Sequence, residues 1–130
     1  EEDNMLKKIS TEKAPAAIEP YSQGIMAGDF LFASGQIPII PETGELAEGE
    51  IKVQAEQVMK NVGALLEAAG VSYENVVKTG CFLADMGDFG AFNEVYAKFF
   101  TDTPPARSCV AVKTLPKNVL CEVEVIAYLK

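Results

Sequence analysis

PARSCVAVKTLPKNVLCEVEVIA, residues 105–127, reads as two β-strands joined by a turn. Successive side chains of a strand point to opposite faces. In the first strand Arg107, Cys109 and Ala111 therefore share one face, and Ser108, Val110 and Val112 the other. In the second, Cys121, Val123, Val125, Ala127 and Leu129 form an apolar face, while Leu120, Glu122, Glu124, Ile126 and Tyr128 form its opposite. One face of such a sheet packs on an apolar layer. The other sets an arginine and two glutamates among apolar neighbours. A half-buried guanidinium beside carboxylates is either a structural ion pair or a site for an anionic ligand.

Upstream of this stretch the pattern predicts the other elements. Lys7 to Ser10 forms a short strand, and Thr11 to Ala17 a polar loop. Tyr21 to Met26 and Phe30 to Gly35 form a hairpin around Ala27-Gly28-Asp29. Gln36 to Glu50, with Pro38 and Pro41, is a long loop. Ile51, Ala55, Val58, Met59, Val62, Leu65, Leu66 and Ala69 recur at helical spacing, and Gly70 stops the helix. Val76 to Ala84 is a strand. A second helix starts at Asp88 as its N-cap, carries Phe89, Phe92, Val95, Tyr96 and Phe99 on one side, and ends at Thr103-Pro104-Pro105.

Two amphipathic helices suffice to cover one face of a single sheet, giving a two-layer α+β domain. If registers agree, the uncovered face carries Phe30, Phe32, Ser34, Arg107, Cys109, Glu122 and Ile126. That face is too apolar for water and too charged for the core of a monomer. Burial against further copies of the chain is the natural solution, so a homo-oligomer with a site near the subunit boundary is expected.

The 130 residues make one domain with room for a substantial core. Glu1 to Asn4 precede Met5 and read as a cloning remnant, leaving 5–130 as the domain; without their three acids the net charge of −8 becomes −5. An acidic chain disfavours nucleic-acid and anionic-membrane binding, and no apolar run is long enough to span a bilayer. Cys81, Cys109 and Cys121 sit in strand-like stretches without paired spacing, as buried thiols of a reducing cytoplasm would. The absence of histidine removes the commonest general base and the commonest transition-metal ligand. A zinc site or a Ser-His-Asp triad is thereby excluded, and no metal is expected.

Several segments, in order, resemble the RidA/YjgF family of enamine/imine deaminases, which also carries the older labels translation initiation inhibitor and endoribonuclease L-PSP. They are Ala14-Pro15-Ala16-Ala17 leading to Pro20-Tyr21-Ser22-Gln23, then Ser34-Gly35-Gln36-Ile37-Pro38. Phe92-Asn93-Glu94-Val95-Tyr96 with Phe99-Phe100 follows, and then Pro105 to Val110 with Glu122. The resemblance runs from about Ile9 to Ala127. It implies a chorismate-mutase-like fold with one mixed sheet covered by two helices. It further implies a homotrimer whose three sheets form a central barrel, with clefts between subunits.

The implied reaction is cofactor-free hydrolysis of 2-aminoacrylate, 2-iminopropanoate or 2-iminobutanoate to a 2-keto acid and ammonia. By the same resemblance Arg107 clamps the substrate carboxylate and Glu122 activates water. Tyr21, Ser34, Gly35, Asn93 and Cys109 would line the pocket, Cys109 through its backbone. Ala111 departs from the acidic residue that many relatives carry after Cys-Val. The assignments have chemical sense: an arginine fork binds a carboxylate bidentately, and a partly desolvated glutamate can serve as a base near neutrality. Glu122 and Glu124 share a face, and only motif position favours the first. Tyr96 reads as helix core. Two other functions stay open: an RNA-cleaving or translation-inhibiting protein, and a noncatalytic 2-keto-acid-binding regulator.

Overall fold

The structure, a computed structural model, describes residues 6–130, so the expected remnant at 1–4 lies outside the described residues. Six strands form one sheet: β1 (Leu6–Ile9), β2 (Gly24–Ala27), β3 (Phe30–Gln36), β4 (Val76–Leu83), β5 (Ala106–Ala111) and β6 (Cys121–Tyr128). Their order is β1-β2-β3-β6-β4-β5, antiparallel throughout except for the parallel pair β4–β5. The helices α1 (Ile51–Ala68) and α2 (Phe89–Tyr96) pack on one face. This is the expected two-layer α+β arrangement with a mixed sheet.

The local chemistry follows the sequence closely in the first half. Gly28, at φ +60°, opens the two-residue loop between Ala27 and Phe30, a position where a side chain is disfavoured. Val58, Met59, Val62, Leu65 and Leu66 of α1 are almost wholly buried. Each such side chain contributes about 1.5–3 kcal/mol relative to exposure. Gly70, at φ +83°, ends α1: its N–H bonds the Glu67 carbonyl at 2.9 Å and the Val71 N–H bonds the Leu66 carbonyl at 3.0 Å, a Schellman pair. Buried Asn61 donates to the carbonyls of Ile37 and Ile39 at 3.0 and 2.9 Å, which fastens the long loop after β3 to the helix.

The structure departs from the sequence reading in three places. The two strands of the 105–127 stretch are joined by a turn, as expected, yet they do not pair with each other, because β6 lies between β3 and β4 while β5 pairs with the far edge of β4. A parallel pair needs a crossover, here α2, and the chain after β5 then passes over the end of β4. It is held there by bonds from Val112 N–H to the Leu83 carbonyl and from Ala84 N–H to the Leu120 carbonyl.

The second failure is the common face for Arg107, Cys109 and Glu122. Arg107 and Cys109 stand beside Thr79 and Cys81, whose side chains are buried under the helices. Glu122 and Glu124 stand beside Phe82 and Gly80 on the opposite, open face. Phe30, Phe32 and Ile126 do lie on that open face, where Phe32 remains 47% exposed. Alternation within each strand was read correctly; the register between strands was not available from it.

Third, Asp88 is the N-cap of α2, as expected, although its side chain makes no cap hydrogen bond. Asp85 caps the preceding turn instead, its Oδ1 accepting from Gly87 N–H at 3.0 Å. The helix also ends at Tyr96, short of the prolines.

Candidate functional site

The residues singled out from the sequence fall into two groups on opposite faces of the sheet. The first lines an open cleft of about 630 Å³ bounded by the loop before β2, the end of β3 and the turn before β6. Tyr21, Ser34, Gly35 and Glu122 are all there, joined by Glu124 and Lys117. Ser34 Oγ donates to the Ser22 carbonyl at 2.6 Å, and Ser34 N–H bonds the Gln23 carbonyl at 2.9 Å. The Gln23 amide then grips the neighbouring loop, accepting from Thr11 N–H at 2.7 Å and donating to the Pro15 carbonyl at 2.7 Å. Ser34 thus ties strand to loop and shapes the cleft wall.

Two glycines make room for the two carboxylates. The Glu122 side chain lies over Gly35 of β3, where any β-carbon would overlap the carboxylate. Glu124 leans the other way, over Gly80 of β4. Glu122 is half-buried and Glu124 exposed. Burial, reinforced by the neighbouring Glu124 charge, raises the pKa of Glu122 above the usual glutamate value of 4.5. This difference adds a physical distinction between two residues that the sequence told apart by motif position alone.

The second group lies on the helix side, at the edge strand β5. Arg107 Nη1 donates to Asn93 Oδ1 at 2.7 Å. The guanidinium lies over the rings of Tyr96, at 4.7 Å, and Phe89, at 5.4 Å. Among the described residues the ion pairs are Lys52–Glu94, Lys98–Glu56 and Lys130–Asp29, so Arg107 is paired with neither Glu122 nor Glu124. The structural ion pair considered from the strand pattern is not formed within the chain. Cys109 follows on the same face, its thiol pKa raised by burial against the opposing pull of Arg107. A thiol so protonated is a poor nucleophile at neutral pH.

Sequence reasoning assigned Tyr96 to the core and passed over Lys117, Gln23 and Thr79. Lys117 and Asn118 both adopt left-handed backbone, φ 56° and 57°, at the cleft rim. Only the positive φ of Asn118 had a compositional hint, since asparagine tolerates that region best. Among the described residues no cluster of His, Cys, Asp or Glu could hold a metal ion. No described helix is long and apolar enough to cross a membrane.

Known proteins similar to this chain carry several different names. The family described as Endoribonuclease L-PSP matches residues 11–129. A RutC family protein of Pyrococcus horikoshii is 55% identical over 95% of this chain and 98% of its own. The chloroplastic Reactive Intermediate Deaminase A of Arabidopsis thaliana is 50% identical over 93% of this chain and 65% of its own. The crystal structure of E. coli TdcF with bound serine superposes with a TM-score of 0.90 at 45% identity, over 94% of this chain and 98% of its own. The matched segments span both groups of site residues, and on that basis the chain belongs to the Rid/RutC family, whose older description is endoribonuclease L-PSP.

Proposed function

We propose that this protein hydrolyses small 2-imino acids and their enamine tautomers, such as 2-aminoacrylate, to 2-keto acids and ammonia, in sites built between two copies of the chain. One observation supports the reading: the candidate residues divide between the two faces of the sheet, Arg107 on one and Glu122 on the other. Among the described residues Arg107 is a fixed cation whose polar side-chain partner is Asn93 and which has no carboxylate in ion-pair range. Glu122 is a half-buried base in a cleft on the other face. A second copy bringing its Arg107 to the first copy's Glu122 cleft would complete both. The Arabidopsis relative is named for deamination of reactive intermediates, and serine, bound in TdcF, is a small carboxylate of the same size class.

In this mechanism Arg107, with Asn93, holds the substrate carboxylate. The enamine takes a proton from solvent at its β-carbon to become the protonated imine. Glu122 takes a proton from water as the water oxygen bonds the imine carbon, then returns it to the nitrogen. The C–N bond of the resulting carbinolamine breaks as its hydroxyl gives its proton back to Glu122, the carbonyl forms and ammonia leaves. Positioning carries much of the rate, with about 7–11 kcal/mol available from orientation at the extreme. Generating imino acids with an amino-acid oxidase and following keto-acid release tests the reading; no acceleration by the protein across several imino acids overturns it.

Two further outcomes are expected. Gly35→Ala should push the Glu122 carboxylate aside, lowering kcat by about 100-fold, the scale of a 1 Å misplacement. The melting temperature should hardly move, since the displaced atoms are the free end of a flexible side chain. Phe32→Asp, on the open face, should dissociate the expected homotrimer, read as a fall in mass by light scattering; an unchanged mass would remove the open face from the interface.

The ribonuclease reading has the family's older description in its favour. Against it stand a net charge of −8 and the lack of any histidine. RNA cleavage that is lost on a cleft mutation would revive it.

A further inference from the structure

Resting on the carboxylate-clamp reading above, we propose that Tyr96, backed by Thr79, is a positioning residue that presets the Arg107 guanidinium for its ligand. Phe89, Asn93 and Tyr96 follow one another at intervals of four and three residues, which places them on one face of α2. All three meet Arg107: Asn93 by a hydrogen bond of 2.7 Å, Tyr96 and Phe89 by ring faces at 4.7 and 5.4 Å. The Tyr96 hydroxyl shares a 2.8 Å hydrogen bond with Thr79 Oγ1. Thr79 is fully buried and is the register partner of Arg107 on β4. The contacts close a ring, from Arg107 to the Tyr96 face, through the hydroxyl to Thr79, and across the ladder back to Arg107.

Core packing alone accounts for part of Tyr96, which also stacks on Phe92 and Phe100 at 5.8 and 4.8 Å. It does not account for a cation over the ring or for a hydroxyl anchored beneath that cation's own strand partner. An arginine otherwise loses much rotamer freedom on binding, and a side chain ordered in advance avoids that loss. Burial also raises the phenol pKa, so the hydroxyl stays neutral and bonded through physiological pH.

The test compares Tyr96→Phe, which keeps the ring, with Tyr96→Leu, which removes it. The readouts are kcat and KM for imine hydrolysis, and the Kd of 2-oxobutanoate by calorimetry. Tyr96→Leu is expected to raise KM and Kd roughly three- to thirtyfold, with kcat within about twofold. Tyr96→Phe should show a clearly smaller rise. A purely structural tyrosine would lower the active fraction in both variants, so kcat would fall with KM and Kd unchanged; that result overturns the proposal. Should Tyr96→Leu fail to fold, Phe89→Leu removes the less buried ring and should move KM and Kd in the same direction. Keto-acid binding without hydrolysis by the wild type, weakened by Tyr96→Leu, would refute the deaminase reading and uphold the clamp. Hydrolysis by the wild type with Kd unchanged in Tyr96→Leu would do the reverse, and neither binding nor hydrolysis by the wild type would overturn both.

Discussion

Arg107→Ala is expected to lower kcat/KM for 2-aminoacrylate hydrolysis by roughly 30- to 5,000-fold while the protein stays folded and assembled. Truncating one partner of a desolvated, hydrogen-bonded charge pair costs about 2–5 kcal/mol, which sets that range. The fold tolerates the change because β5 is an edge strand and, among the described residues, Arg107 gives up one hydrogen bond and its ring contacts, with no ion pair lost. Arg107→Lys should keep the charge yet recover little activity, since an ammonium cannot offer the planar fork. The assay produces 2-aminoacrylate in place with a serine dehydratase and follows keto-acid formation beside the melting temperature. Wild-type kcat/KM in Arg107→Ala would remove Arg107 from the mechanism.

Glu122→Gln should lower kcat by about 10²–10⁴, the usual contribution of a general base, with little change in KM. The pH dependence has a definite sign. Glu122 acts as a base only when ionised, so the enzymatic rate should fall as pH drops through its pKa, which burial and Glu124 place above 4.5. Glu124→Gln removes the like charge that disfavours ionisation. It should keep most of kcat and move that limb to lower pH. A limb that stays put in Glu124→Gln, or one that persists in Glu122→Gln, would assign the base elsewhere.

The strand alternation of 105–127 foretold which side chains of β6 are buried, and it drew attention to Arg107 and Glu122 together. It could not foretell that they point to opposite sides of the sheet, because side-chain alternation is a property of one strand, whereas register arises between strands. That register comes from the parallel pairing of β5 with β4, Arg107 beside Thr79, and the antiparallel pairing of β6 with β4, Glu122 beside Phe82, which nothing local encodes. Of the site residues that motif order brought together, Tyr21, Ser34, Gly35 and Glu122 meet in the cleft, whereas Arg107, Asn93 and Cys109 lie on the helix side of the sheet. Tyr96 was read as core for a sound reason, its helical spacing. Its second duty depends on Arg107, eleven residues later in the chain and brought back by the crossover through α2. The preference for Glu122 over Glu124 likewise became physical only once Gly35 and Gly80 were seen to draw the two side chains apart.

That a working site combines Arg107 of one copy with Glu122 of another is tested most directly by mixing two impaired variants. Arg107→Ala and Glu122→Gln proteins, each expected to keep only a small residual activity alone, are unfolded, combined in equal amounts and refolded together. If every site takes one wall from each of two neighbours, about a quarter of the sites regain both wild-type residues, and about a quarter of wild-type activity should return. If Arg107 and Glu122 of the same chain served one site, no mixture could rebuild it, and activity would remain at the level of the separate variants.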